Sequence, residues 1–213
     1  MNKLELLTKR LIDIIVSLSV ITFVLSWLTP LLGILILLES RGGIFFIQSR
    51  DGVKGKPFNL IKFRTMTPSK TAHLIQAKKN DARITNLGSF LRKSHIDELP
   101  QFINILMGDM SLVGPRPHMH RDTKHYETII DNYRKRLEVK PGFTGLAQAK
   151  GLHGNTSIDV QKMKDRVRVD NFYVSNISLY MDFMVIALSF QEINRKLSSL
   201  FSSDRMAFIL NRI

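Results

Sequence analysis

Chemistry in this chain is concentrated where two adjacent carboxylates are followed, eighteen residues on, by an arginine held between prolines. Asp97 and Glu98 stand near the head of the run SHIDELPQFINILMGDMSLVGPRP, residues 94–117, and Arg116 closes it between Pro115 and Pro117. Pro100 fits only the first turn of a helix and Gly108 is a natural stop, so Glu98 to Met107 is expected to be a short helix with Asp97 at its N-cap. The free N–H groups and dipole of such an end attract an anion. With two acids already there, a phosphate can approach only beside a cation, either a divalent metal or arginines. The same pair would also serve simply as a cap and a favourable first-turn acid. The flanking prolines fix the backbone around Arg116 and aim its planar guanidinium, which suits a phosphate, although such a tripeptide is also a rigid turn.

With KFRTM (residues 62–66) upstream, DARITNLGSFLRK (81–93) before it and KPGFTGLAQ (140–148) after it, this run resembles the bacterial sugar transferase family, the monotopic polyprenyl-phosphate phosphoglycosyl transferases that begin surface glycan assembly. The resemblance covers residues 9–195. It implies transfer of a sugar 1-phosphate from a nucleotide diphosphate sugar to polyprenyl phosphate, with undecaprenyl phosphate as acceptor and a nucleoside monophosphate released. It makes Asp97 the nucleophile and Glu98 its partner, the two together holding Mg²⁺ or Mn²⁺. It makes Arg116, Arg92, Lys62, Arg83 and Arg64 phosphate or nucleotide contacts, and it matches at Gln148. Ala149 and Lys150 stand where the family usually has valine and asparagine, and Thr29 precedes Pro30, a second departure. The stretch 154–176 is similar to members that use hexoses, which implies a glucose or galactose phosphate. Longer members carry a further N-terminal region, which this chain is expected to lack. Downstream glycosyltransferases are implied partners, and the bacterial inner membrane, with the site on its cytoplasmic face, is the implied location.

Composition sets independent bounds. The 213 residues include 31 Lys and Arg against 18 Asp and Glu, a net charge of +13, so an anionic partner is expected: phosphorylated ligands, an acidic membrane surface or nucleic acid. Basic residues interleaved with aromatics, as a nucleic-acid surface needs, are missing. The rival class is therefore a membrane-anchored basic module that catalyses nothing. It accounts for the charge, but for neither the acidic pair nor the clamped arginine. Cysteine is absent, which excludes disulfides and thiolate-bound metal.

Leu11 to Leu38 is apolar apart from Asp13, Pro30, Gly33 and a few hydroxyl residues. As one helix it would be about 42 Å long against a hydrocarbon core of about 30 Å. Pro30 should kink it, and Lys3, Lys9 and Arg10 at one end balance Arg41, Arg50, Lys54 and Lys56 at the other. A re-entrant hairpin with both ends in the cytoplasm is expected, as the family resemblance also implies.

Residues 41–66 should form two short strands with Lys62 and Arg64 on one face; by pattern alone that face is as well read as solvated. Residues 67–80 suit a surface loop or short helix. Ile84, Leu87, Phe90 and Leu91 repeat at helical spacing, residues 118–139 suggest a helix, and 158–173 an amphipathic one. His118, His120 and His125 lack metal-ligand spacing. The apolar run Leu179 to Phe190 is too short to span and fits a core helix or one lying at the membrane interface. The whole is expected to be an α+β, helix-rich domain with a small sheet. It divides into an anchor at 1–40, a catalytic domain at 41–197 and a tail at 198–213 without assigned role.

Overall fold

The computed structural model describes residues 1–68, 81–152 and 159–201, with side chains described to Arg195. The Asn2 side chain accepts from the Glu5 N–H, and Glu5 returns a bond to the Asn2 N–H, so a reciprocal capping box starts the first helix. It runs as α1 (Lys3–Val20), widens into a π turn at Ile21–Leu25 and continues as α2 (Ser26–Glu39). The irregularity expected at Pro30 therefore falls upstream, and Pro30 lies inside α2. Carbonyls of the π turn find side-chain donors: Ser26 Oγ bonds Thr22 O at 2.6 Å and Trp27 Nε1 bonds Phe23 O at 2.9 Å. The 37 residues from Lys3 to Glu39 are long and apolar enough to cross a membrane, and Leu11, Ile15, Phe23, Trp27, Ile34 and Leu38 are exposed.

Polar bonds stitch both ends of this helix to the rest of the molecule. Near its start, Asp13 is buried and accepts from Ser111 Oγ and the Leu112 N–H, while Arg10 donates to the carbonyls of Ile105 and Leu106. Lys9 pairs with Asp182 and also bonds Val113 O. Near its end, Glu39 accepts from the Leu87 N–H and Arg64 donates to the carbonyls of Ser40 and Arg41. Between these ends Leu25, Leu32 and Ile36 pack on Phe63 and Leu91 in one apolar core.

The two expected strands form an antiparallel hairpin, β1 (Phe45–Asp51) and β2 (Pro57–Phe63), with Phe46 opposite Lys62. A second small sheet pairs β3 (Ser111–Val113) in parallel with β4 (Gly142–Thr144). That pairing brings the loop before Arg116 against KPGFTG. A Cβ on Gly142 would lie 2.1 Å from the Gly114 nitrogen, so only glycine lets the two backbones meet.

The remaining helices are α3 (Asn86–Ser94), α4 (Gln101–Met107), α5 (His120–Tyr126), α6 (Leu146–Ala149), α7 (Val160–Ser175) and α8 (Leu179–Phe201). The single helix expected over 118–139 is divided into α5 and a 3₁₀ turn at Tyr133–Leu137, because Asn132 takes a left-handed conformation between them. The tail boundary at 197 falls inside α8. Residues 69–80, part of the expected loop, 153–158, which take in the start of the hexose-like stretch, and 202–213 lie outside the described residues.

One side chain sets the spacing between the hairpin and the acidic pair. Asn104 on α4 is fully buried, accepts from the Ile61 N–H and donates to Asn59 O. Asn104→Ala removes the partner of two part-buried main-chain groups on the strand that carries Lys62 and empties a buried site, a loss of about 2–4 kcal/mol. Thermal melting of the detergent-solubilised chain should fall by about 5–15 °C; an unchanged melting temperature would show that β2 and α4 are held apart by other means.

Candidate active site

The acidic pair sits in a tighter turn than its sequence suggests. His95, left-handed at φ +59°, ends α3, and Ile96–Glu98 is a 3₁₀ turn. The Leu99 N–H bonds Ile96 O, Phe102 N–H bonds Leu99 O, and α4 begins only at Gln101 with Pro100 as its N-cap. Asp97 is therefore not the cap of an α-helix beginning at Glu98. Pro100 has no N–H to give the Ile96 carbonyl, so the backbone closes on the next shorter ring.

Both carboxylates are buried, at 7% and 8% exposure, yet their surroundings differ. Glu98 Oε1 accepts from Lys62 Nζ at 2.7 Å and also from Arg116, which reaches Oε2 as well at 3.1 Å. Burial pushes the Glu98 carboxyl up, but Arg116 and Lys62 more than reverse this and hold it well below the usual range. Asp97 has no hydrogen-bond partner among the described residues. Burial pushes it up to about 6, against the attraction of Lys62, Arg92 and Arg116 and with Glu98 adding to the rise. One acid is thus a fixed anion, and its neighbour is an open carboxylate in an electropositive site.

The other expected contacts separate. Arg116, Lys62 and Arg92 converge on the pair. Arg92 is steadied by Nε to Thr65 Oγ1 at 2.9 Å and acts on Asp97 through its charge. Arg83 is bound by both oxygens of Asp81, and Arg64 is engaged with carbonyls at the end of α2, so neither joins Glu98. Lys62 and Arg64 diverge because β2 ends at Phe63. Gln148 lies on α6, near Phe143 O. His118 bonds the Tyr133 hydroxyl at 2.6 Å, His120 reaches Asp51 and His125 packs edge-on to Tyr126.

No group of three or more His, Cys, Asp or Glu able to hold a metal exists among the described residues. Mg²⁺ does not require one, since it binds through one or two carboxylates together with substrate phosphates. A carboxylate has about four acceptor directions. Three hydrogen bonds reach Glu98 and none reaches Asp97, so the open oxygens that suit Mg²⁺ are chiefly those of Asp97.

Sequence reading missed Arg50, Arg136 and Arg166. Arg50 extends from β1 and senses Arg116 and Glu98, while Arg136 donates to the Arg116 carbonyl at 2.7 Å and pairs with Asp170. Arg166 and Asp170 share the buried side of α7 with Met163, Val167 and Val174. Two charges on the inner stripe of an amphipathic helix were the legible signal.

The profile of the family described as Bacterial sugar transferase matches residues 4–196. The chain is 42% identical over 190 residues to the UDP-glucose:undecaprenyl-phosphate glucose-1-phosphate transferase of Klebsiella pneumoniae, covering 89% of this chain and 40% of that protein. The protein of the same name from Caulobacter vibrioides is 40% identical over 181 residues, 84% of this chain and 67% of the relative. Exopolysaccharide production protein PSS of Rhizobium leguminosarum is 40% identical over 188 residues, 86% of this chain and 93% of the relative. The chain thus spans less than half of the Klebsiella protein and most of the Rhizobium one.

The open acid has a measurable cost. A carboxyl raised from an ordinary 3.8 to about 6 contributes stability that is present below about pH 4 and lost as pH rises through 6. Asp97→Asn escapes that loss, which amounts to up to roughly 3 kcal/mol. Its melting temperature should exceed the wild type's at pH 8 and the gap should shrink toward pH 4.5. A gap independent of pH would mean that Asp97 is not held in this environment.

Proposed function

The chain belongs to the bacterial sugar transferase family, and from that premise we propose that it transfers a hexose 1-phosphate from a UDP-hexose to undecaprenyl phosphate. Glucose is the favoured hexose, since that sugar is named for the Klebsiella and Caulobacter relatives. The observation that carries the reading is the division of labour between adjacent acids: Glu98 is clamped by Lys62 and Arg116, and Asp97 is left open beside them.

In this mechanism an Asp97 oxygen bonds the phosphorus that carries the sugar. The bridging P–O bond breaks, and its electron pair leaves with the nucleoside monophosphate. An oxygen of the lipid phosphate then bonds the same phosphorus and the Asp97–phosphorus bond breaks, restoring the carboxylate. A carboxylate needs no base in order to attack, and a fixed one replaces an approach of two free anions. Glu98 acts by holding Lys62 and Arg116 toward the phosphates, where they offset the charge that develops. Mg²⁺, held by Asp97, with Glu98 and substrate oxygens, supplies Lewis-acid polarisation of the diphosphate when bound. Arg83 and Arg64 are positioning residues in this reading: one steadies the chain after residue 80, the other closes the end of α2.

The two stitched ends of the apolar helix support a monotopic attachment. Asp13 and Lys9 near one end and Glu39 near the other all bind the same body, so that body and both ends lie on one membrane face, the cytoplasmic one where nucleotide sugars are found. Exopolysaccharide assembly is the fitting role, as named for the Rhizobium relative.

Two experiments test these statements. Enzyme given donor labelled in the sugar, with Mg²⁺ and no lipid, should release one UMP and carry label on Asp97 by peptide mass spectrometry. Asp97→Asn should lose both, and the wild-type rate should climb with pH through about 6 as Asp97 ionises. Label on another residue, or activity undiminished in excess EDTA, contradicts the scheme. Because the sequence has no cysteine, single cysteines at Lys3 and Ser49 can be probed in intact cells. Neither should react with an impermeant reagent, and labelling at one alone would establish a span.

A further inference from the structure

Arg166 is 3% exposed, yet neither its Nε nor its Nη2 has a hydrogen-bond partner. Asp170, one turn along α7, is already bonded twice by Arg136, at 3.1 and 2.8 Å. Arg50 repeats the pattern: its Nη2 is taken by Gln48 and its Nε is buried and unpartnered. These groups adjoin the acidic pair through Arg116, whose side chain holds Glu98 while its carbonyl accepts from Arg136. Arg136 in turn stacks 5.5 Å above Tyr133, whose hydroxyl meets His118. Four guanidinium groups, Arg50, Arg116, Arg136 and Arg166, act on this imidazole through their charge. After burial itself, they are what keeps His118 neutral. Like charges gathered in a dry site with open donors are unfavourable in isolation. They become favourable when an anion with several acceptor oxygens completes them, and the planar fork of arginine matches phosphate.

We propose that Arg166 and Arg50, beside Arg116, form a second phosphate subsite that receives the phosphate of the departing nucleoside monophosphate. The inference rests on the transfer reading above and extends it to residues that do not touch the acidic pair. In a diphosphate the two phosphorus atoms share one bridging oxygen. If Asp97 attacks the sugar-bearing phosphorus, the other phosphate must sit immediately beside it, opposite the Asp97 oxygen. When the bridging bond to the attacked phosphorus breaks, its electron pair stays on that oxygen and adds one negative charge to the leaving phosphate. Open guanidinium donors fixed there in advance stabilise this charge without rearrangement. In the second half-reaction the lipid phosphate attacks the same phosphorus in line with the Asp97–phosphorus bond, on the side the nucleoside monophosphate has left, so its own phosphate enters the same subsite.

The experiment compares full-length wild type, Arg166→Gln and Arg50→Gln in detergent, titrated calorimetrically with UMP, inorganic phosphate or a short-chain polyprenyl phosphate. Arg166→Gln should weaken UMP and inorganic phosphate by about 10- to 100-fold, the value of hydrogen bonds to a charged group, and weaken polyprenyl phosphate in the same direction. Its ligand-free melting temperature should stay level or rise, because an unpaired buried charge has gone. Arg50→Gln, on the less buried hairpin, should weaken UMP in the same direction, and it carries the test alone if Arg166→Gln does not fold. UMP affinity equal to wild type in the folded variants overturns the proposal, as does a selective loss of polyprenyl phosphate. If the Asp97 adduct forms but UMP binding ignores both arginines, the subsite fails and the transfer reading stands. If UMP depends on the arginines but no adduct forms, the transfer reading fails and the subsite stands.

Discussion

Glu98 is the point on which the site depends. It comes from a 3₁₀ turn, Lys62 from the open end of the hairpin and Arg116 from a proline-locked loop, and the carboxylate's oxygens join all three. A buried ion pair is rarely a net source of stability, since removing each charge from water costs several kcal/mol, but breaking one half of it is expensive. That asymmetry enforces geometry. Moving any one of the three segments away would leave a buried charge without its partner, so positions reached by unrelated parts of the backbone are tied to one another.

The scaffold around this point is built from close main-chain approaches rather than from large sheets. Gly88 lies so near the Thr65 carbonyl that a Cβ would come within 2.1 Å of it, and Gly114, Gly142 and Gly145 interlock in the same manner. Those contacts bring Thr65, which steadies Arg92, and the loop of Arg116 within reach of the acidic pair. The hairpin adds Lys62 and Arg50 from neighbouring strands. Small elements with little sheet can therefore hold a dense set of charges.

Much of this was legible in the sequence, for identifiable reasons. Hairpin strands announced themselves through alternation between turn signals, and Asp97, Glu98, Lys62 and Arg116 stood in compact motifs. The 3₁₀ turn was not legible because Pro100 is compatible both with a first helical turn and with the shorter ring. The left-handed His95 that ends α3 directly before the turn was equally hidden, since histidine gives no warning of that conformation. Arg64 misled because it follows Lys62 by two residues, which signifies a shared face only while the strand continues. The Arg136–Asp170 pair joins residues 34 apart, a tertiary fact that local pattern cannot carry. Pro30 drew attention from Ile21–Leu25, whose β-branched and apolar residues give no sign of a π turn.

The stitching of α1 also bears on the order in which the molecule can be completed. Lys9 meets Asp182, 173 residues later, and Asp13 meets Leu112, 99 residues later. The charged groups of α1 must therefore wait for partners that are made long after the helix itself. Closing loops of that length is entropically slow. Meanwhile Lys9, Arg10 and Asp13 need water or lipid headgroups as temporary partners, while the leucines beside them seek hydrocarbon. A boundary between water and an apolar phase offers both.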